Sequence, residues 1–159
     1  MIYEVRIAAK GENDAKGDDL LAEIKRTLKI NSIKKIRTAK VYRLEGISKN
    51  NLKKFSEKVL YESIDQKVSY GNNILKGADK LIEVAYKPGV MNPEVGSLQK
   101  AAHDLSISLA AADSSWEYAF FGKTKKEDLQ KIINQLLVNK TVETVVGKSP
   151  KTLLISGKP

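Results

Sequence analysis

The chain has 159 residues, of which 42% are hydrophobic and 30% charged, and its formal charge is +9. That balance excludes a disordered tail and fits a folded protein. The lack of cysteine excludes disulfides and thiolate metal sites, and no apolar run reaches the roughly 18–20 residues that span a bilayer.

The chain opens directly in a strand-like alternation, with no charged segment leading into an apolar run. No secretory signal and a cytoplasmic location are therefore expected. The charge is uneven. Residues 1–79 hold 17 Lys and Arg against 11 Asp and Glu, residues 80–159 hold 11 against 8, and Arg6, Arg26, Arg37 and Arg43 all lie in the first half. A basic surface of this kind is either a solvated lysine-rich face or an attractor for nucleic acid or an acidic partner.

In chain order, Tyr3, Val5 and Ile7 alternate with Ile2, Glu4 and Arg6, which predicts a half-buried strand over 2–8. A turn-like loop over 10–14 follows. Leu20, Leu21, Ile24 and Leu28 recur at helical spacing, with Asp18 and Asp19 near the start, where the helix dipole favours acids. Residues 33–45 form a long β-prone run closed by Gly46. Ser48 is placed to cap a second helix that carries Leu52, Phe55, Val59 and Leu60 on one face. A short strand is expected at 67–70, then a connection over 76–79.

The pattern then restarts. Residues 81–86 predict a strand and Lys87-Pro88-Gly89 a loop. Pro93 stands where a helix begins, and Val95, Leu98, Ala102 and Leu105 mark its apolar face. A long β run over 107–121 is closed by Gly122. Thr124 with Glu127 reads as a capping box ahead of a helix lined by Leu129, Ile132, Ile133, Leu136 and Leu137. A closing strand is expected at 141–146. Beyond it, Leu153-Leu154-Ile155 is a strand candidate and residues 156–159 read as linker.

The halves match in order, with Glu4-Val5 against Glu83-Val84, Tyr42 against Tyr118 and Gly46 against Gly122. This predicts an α+β fold of two tandem modules, 1–75 and 80–147, with a tail or linker over 148–159. A module of about 75–80 residues is marginal alone. Two copies suit a closed pseudo-twofold pair, an antiparallel sheet with the helices on one face.

Little here points to catalysis. His103, the only histidine, lies in a helical pattern with no nucleophile or acid spaced for a triad, and a soft metal site is not expected. Asp18/Asp19 and Glu127/Asp128 sit at helix starts, which dipole compensation explains. The glycines form no phosphate-cradling pattern, so no cofactor is expected. Two features remain. Arg37-Thr38-Ala39-Lys40 and Arg43 lie on the first long strand, Arg37 and Arg43 on one face and Lys40 on the other. They mark either an edge strand protected by charge or a contact for an anionic partner. Trp116, Tyr118 and Phe120 share one strand face, as core packing or an aromatic interface.

The second half carries Glu83-Val84, then Lys87-Pro88-Gly89-Val90-Met91-Asn92-Pro93, then Leu136-Leu137-Val138-Asn139. In these residues it resembles the small PurS subunit of phosphoribosylformylglycinamidine synthase and the related N-terminal domain of that enzyme's fused form. Asn92 stands where the family has Asp. The first half resembles a divergent copy, with Asp14-Ala15-Lys16-Gly17 at the helix start and Arg37-Thr38-Ala39-Lys40 similar to the family's Arg-x-Gly-Lys. The resemblance covers roughly residues 1–146. It implies a non-catalytic component of an ATP- and glutamine-dependent ligase of purine synthesis, bridging glutaminase and synthetase components and supporting ammonia transfer. Arg37, Lys40, Arg43, Lys87, Asn92 and Trp116 are the candidate partner-binding residues, and no membrane is expected as a partner. Two rival readings are a basic nucleic-acid-binding module, not expected as the role because no RNA-binding signature accompanies the aromatics, and a duplicated regulatory module that binds a small molecule.

Overall fold

The computed structural model describes residues 1–147 and 152–153. Six strands form one antiparallel sheet in the order β3-β1-β2-β5-β4-β6. They are β1 (Ile2–Ala9), β2 (Ile33–Glu45), β3 (Gln66–Tyr70), β4 (Lys80–Tyr86), β5 (Ala111–Gly122) and β6 (Glu143–Val145). Four helices accompany them: α1 (Ala15–Glu23), α2 (Lys49–Phe55), α3 (Pro93–Asp104) and α4 (Lys126–Ile132). Three of these run on into one π-helical turn each, at Ile24–Leu28, Ser56–Leu60 and Ile133–Leu137.

The two long strands β2 and β5 pair along nearly their whole length, from Ile33 opposite Gly122 to Glu45 opposite Ala111. This places β2 at the centre of the sheet, between β1 and β5. An edge strand guarded by charge is therefore not what Arg37, Lys40 and Arg43 mark.

Alternation decides which residues meet the helices. Tyr3, Val5 and Ile7 on β1 face the same way as Tyr42 and Leu44 on β2 and Ala112 on β5. They pack with Leu52 and Phe55 of α2 and Leu98 and Ala102 of α3. Further along the same face, Ile36, Tyr118, Phe120 and Val84 pack with Ile24, beyond α1, and Ile132 of α4. Ile36 and Leu44 lie an even number of residues apart on one strand, so all four helices cover one side of the sheet. Each core mixes both halves of the chain. Fully burying a side chain such as Phe55, Phe120 or Ile132 contributes about 1.5–3 kcal/mol.

The opposite side is crossed by the chain itself. Residues 71–79 run from β3 to β4, which are separated by β1, β2 and β5. Leu75 from this segment packs on Ala8, Ala39 and Ala119, one small residue from each strand it passes. The connection read from sequence is thus a strap lying on an alanine floor.

Several boundaries follow local chemistry. Ser48 caps α2 through Asn51 N–H, and Asn92 caps α3 with Pro93 at its first position. Gly46 has φ +73, and a Cβ there would come within 2.4 Å of the Ala110 Cβ. The second long strand starts at Ala111 and not at 107. Ser106 adopts φ 57, the Ile107 N–H returns to the Ala102 carbonyl, and Ile107 fills the core beside α2 and α3. The capping box at Thr124 is absent. Lys125 holds the cap position of α4 without a side-chain bond, and the Thr124 N–H donates to Asp79 Oδ2 at 2.9 Å. The carboxylate just before β4 takes the N–H that Glu127 would accept from in a capping box. Leu153 is in no regular element, while Leu154, Ile155 and residues 156–159 lie outside the described residues. Among the described residues, no helix is long and apolar enough to cross a membrane.

Candidate functional site

Two polar clusters occupy the middle of the sheet, one on each side. On the helical side, each long strand anchors the start of a helix. Asp14, the cap of α1, accepts from Gly17 N–H at 2.8 Å, Thr38 N–H at 2.6 Å and Thr38 Oγ1 at 2.9 Å. Asn92, the cap of α3, accepts from Glu94 N–H at 3.0 Å. It donates through Nδ2 to Ser114 O, Ser114 Oγ and Asp113 Oδ1. Thr38 and Ser114 stand on facing strands and do the same job.

Between these anchors lies Trp116. Lys16 Nζ stands 4.5 Å and Lys40 Nζ 4.8 Å from its ring centre, so two cations share one indole face system. Lys40 also pairs with Glu94 at 2.9 Å. Glu94 accepts from Ser114 Oγ at 2.5 Å and from the Tyr42 hydroxyl at 3.5 Å. Burial pushes the Glu94 carboxyl up, but these donors outweigh it and hold it below the usual carboxylate range. The same Glu94 adds to the burial that pushes Tyr42 up to about 12. Tyr118 and Phe120, which share the face of Trp116, are core residues.

On the reverse side, Arg6 and Arg43 lie flat among three glutamates. Arg6 Nε reaches both oxygens of Glu117 at 3.1 Å and its NH1 reaches Glu4 at 3.1 Å. Arg43 donates to Glu4 at 2.9 Å and clasps Glu83 with two nitrogens, at 2.5 and 3.0 Å. Ser115 Oγ adds a bond to Glu83 at 2.5 Å. Arg6, Arg43 and Glu117 are 9%, 4% and 4% exposed. Pairing across four strands buries Arg6 and leaves Glu4 half-buried beside it. Glu117 stands directly opposite Glu83 on β4. Burial pushes its carboxyl up, Arg6 opposes that, Glu83 reinforces it, and the net direction is upward.

The six candidate residues do not form one site. Lys40, Asn92 and Trp116 come together on the helical side. Arg43 is held in the reverse network. Arg37, on that same side, donates to the carbonyls of Ala9 and Gly11 at 3.0 and 2.9 Å. Lys87 is exposed on the loop after β4, where its N–H donates to the Val142 carbonyl. His103 projects from α3 with its side chain 91% exposed, 3.9 Å from Asp104. Sequence reasoning missed Lys16, Glu94, Glu4, Arg6, Glu83 and Glu117 as cluster members. The repeated Glu-Val of β1 and β4 was the one available signal, since it sets Glu4 and Glu83 at like positions.

Chemically, both clusters pair their charged groups with one another. Lys40 faces Glu94, and the two arginines face three carboxylates, so neither cluster offers an activated nucleophile with a base beside it. Their work is to fix helices on strands and strands on one another. No protein-family model and no curated protein matches the chain.

Proposed function

We propose that the chain is a pair of PurS-like modules, residues 1–75 and 80–147, joined as an internal pseudo-dimer. We further propose that it acts in the cytoplasm as a non-catalytic component of phosphoribosylformylglycinamidine synthase. There it bridges the glutaminase and synthetase components and supports ammonia transfer between them.

The observation that carries this reading is the strand order. Read outward from the β2·β5 seam, one side is β2-β1-β3 and the other β5-β4-β6, and each half contributes strand, helix, long strand, helix and short strand in that order. The Asp14–Thr38 and Asn92–Ser114 anchors occupy like places in the two halves. In each half the helix-start side chain ties its helix to the long strand of the same half. The purine-synthesis role rests on the sequence resemblance. Clusters whose charged groups are engaged with one another inside the fold agree with a scaffolding part.

The nucleic-acid alternative rests on the net charge of +9, while Arg6, Arg43 and Lys40 are engaged with glutamates inside the fold. Steeply salt-dependent RNA or DNA binding would revive it.

The test is co-purification of the chain with glutaminase and synthetase components, and glutamine-dependent synthesis assayed with and without it. The bridging role predicts a complex that forms only when the chain is present and activity that falls on its removal. Unchanged glutamine-dependent activity without the chain sinks it.

A further inference from the structure

The strap leaves a cavity of about 480 Å³ beside it on the reverse side of the sheet, between β2, β3 and residues 72–76. Its lining is unlike either cluster described above. Arg37, Lys67 and Lys76 all border it, and among the described residues lining it none is acidic. Among the described residues neither lysine is in an ion pair.

The remaining polar groups point to the same chemistry. Arg37 uses one terminal nitrogen on the Ala9 and Gly11 carbonyls, which fixes the guanidinium, while its Nε is buried with no hydrogen-bond partner. Asn73 accepts from Leu75 N–H through Oδ1, which leaves its amide nitrogen to donate. Ser69 Oγ donates to the Asn72 carbonyl, holding the turn that carries these residues. The cavity therefore offers donors and positive charge without a carboxylate among its described lining residues to answer them. One wall is different: Ile74, Leu75 and Phe121 give it an apolar side.

We propose that this cavity binds a phosphorylated small molecule, with its phosphate held by Lys67, Lys76 and Arg37 and its apolar part against Ile74 and Phe121. Its size lies in the range of small-ligand sites, roughly 300–1,000 Å³. The phosphate is the group that suits this lining, because it presents several acceptor oxygens to lysine and guanidinium donors at once. Occupancy would fasten the strap to β2 and β3. The site is independent of the bridging role, and either can stand without the other.

The experiment uses the full chain and four probes: inorganic phosphate, pyrophosphate, AMP and adenosine. Binding is followed by calorimetry and by amide chemical shifts. AMP is expected to bind saturably, more tightly than phosphate and far more tightly than adenosine, with shifts grouped at residues 37, 67–76 and 121. The Lys67→Ala/Lys76→Ala variant is expected to weaken AMP binding by about ten-fold or more, as loss of two phosphate contacts should, with its thermal midpoint unchanged. A Lys125→Ala/Lys126→Ala variant, which removes equal charge at α4, is expected to bind as the parent does. No saturable binding of any phosphate probe up to about 10 mM, weaker than any affinity worth about 3 kcal/mol, overturns the proposal. So does equal weakening in both double variants, which would mark a general attraction to a basic surface. AMP and adenosine binding alike would remove the phosphate from the argument and overturn it too.

Discussion

Glu117 shows how a paired residue can still oppose folding. It has Arg6 as a partner, yet burial and the facing Glu83 push its carboxyl above the ordinary 4.5. The folded protein then holds that proton more firmly than the unfolded chain does. The stability this contributes is complete below about pH 4.5 and is lost as pH rises through the folded value. At neutral pH the ionised Glu117 is a residual cost of a buried network with three carboxylates and two guanidinium groups. Glu117→Gln keeps an acceptor for Arg6 and removes the facing charge. The parent is therefore expected to lose stability relative to this variant as pH rises from about 4.5 toward neutrality, and the difference then levels off. Urea denaturation of both proteins at a series of pH values measures it. A parent that gains on the variant over that interval would show that the Arg6 pair dominates. Glu94 runs the other way: it is held low, so its contribution is present above the ordinary carboxylate range and fades as pH falls.

At the scale of elements, the helix-to-strand contacts are closer than helix propensity alone would choose. Gly17 sits in the first turns of α1, where an alanine would ordinarily favour the helix by about 1 kcal/mol. A Cβ at this position, however, would lie 2.1 Å from the carbonyl oxygen of Ile36. The helix lies on β2 because there is no side chain between them, and Asp14 can reach Thr38 only at that spacing. Gly17→Ala is expected to destabilise by about 1–3 kcal/mol, the usual cost of forcing atoms into a packed contact. A rise in the thermal midpoint would mean that α1 stands further from the sheet.

The elements themselves were legible in the chain. Apolar spacing and the closing glycines located every strand and helix of the described region to within a few residues, because both are local properties. Ile107 was assigned to the strand because it is apolar and β-prone. It is apolar because it plugs a core, and only the chain reversal at Ser106 makes that visible. Thr124 carried the right pattern for a capping box, but Lys125 holds the cap position and the Thr124 N–H donates to Asp79, 45 residues away. The polar clusters were less legible for the same reason. Arg6 meets Glu117 across 111 residues of sequence, and alternation within one strand says which face a residue takes without saying what waits there.

For the whole molecule, the two cores decide how it must unfold. The first contains Val5, Leu44 and Phe55 with Leu98, Ala102 and Ala112. The second contains Ile24 and Ile36 with Val84, Phe120 and Ile132. Neither core belongs to one half of the chain. One cooperative transition is expected, with far-ultraviolet dichroism and the fluorescence of Trp116, the only tryptophan, giving coincident midpoints. Midpoints that separate by more than the fitting error would mean that one half holds its structure without the other.

The strap also governs how the sheet carries force. It joins Tyr70 to Lys80 through the nine residues 71–79, at most about 35 Å of extended chain. It must clear four strand spacings, about 19 Å, and also run about 20 Å along the sheet, because Tyr70 lies level with Ser114 and Lys80 with Phe120, which makes a span of about 28 Å. A pull that peels β3 from β1 can therefore travel only about 7 Å beyond the resting distance before it draws on β4, on the far side of the seam. Tension on the β3 margin is handed directly to β4, past the three strands that lie between them.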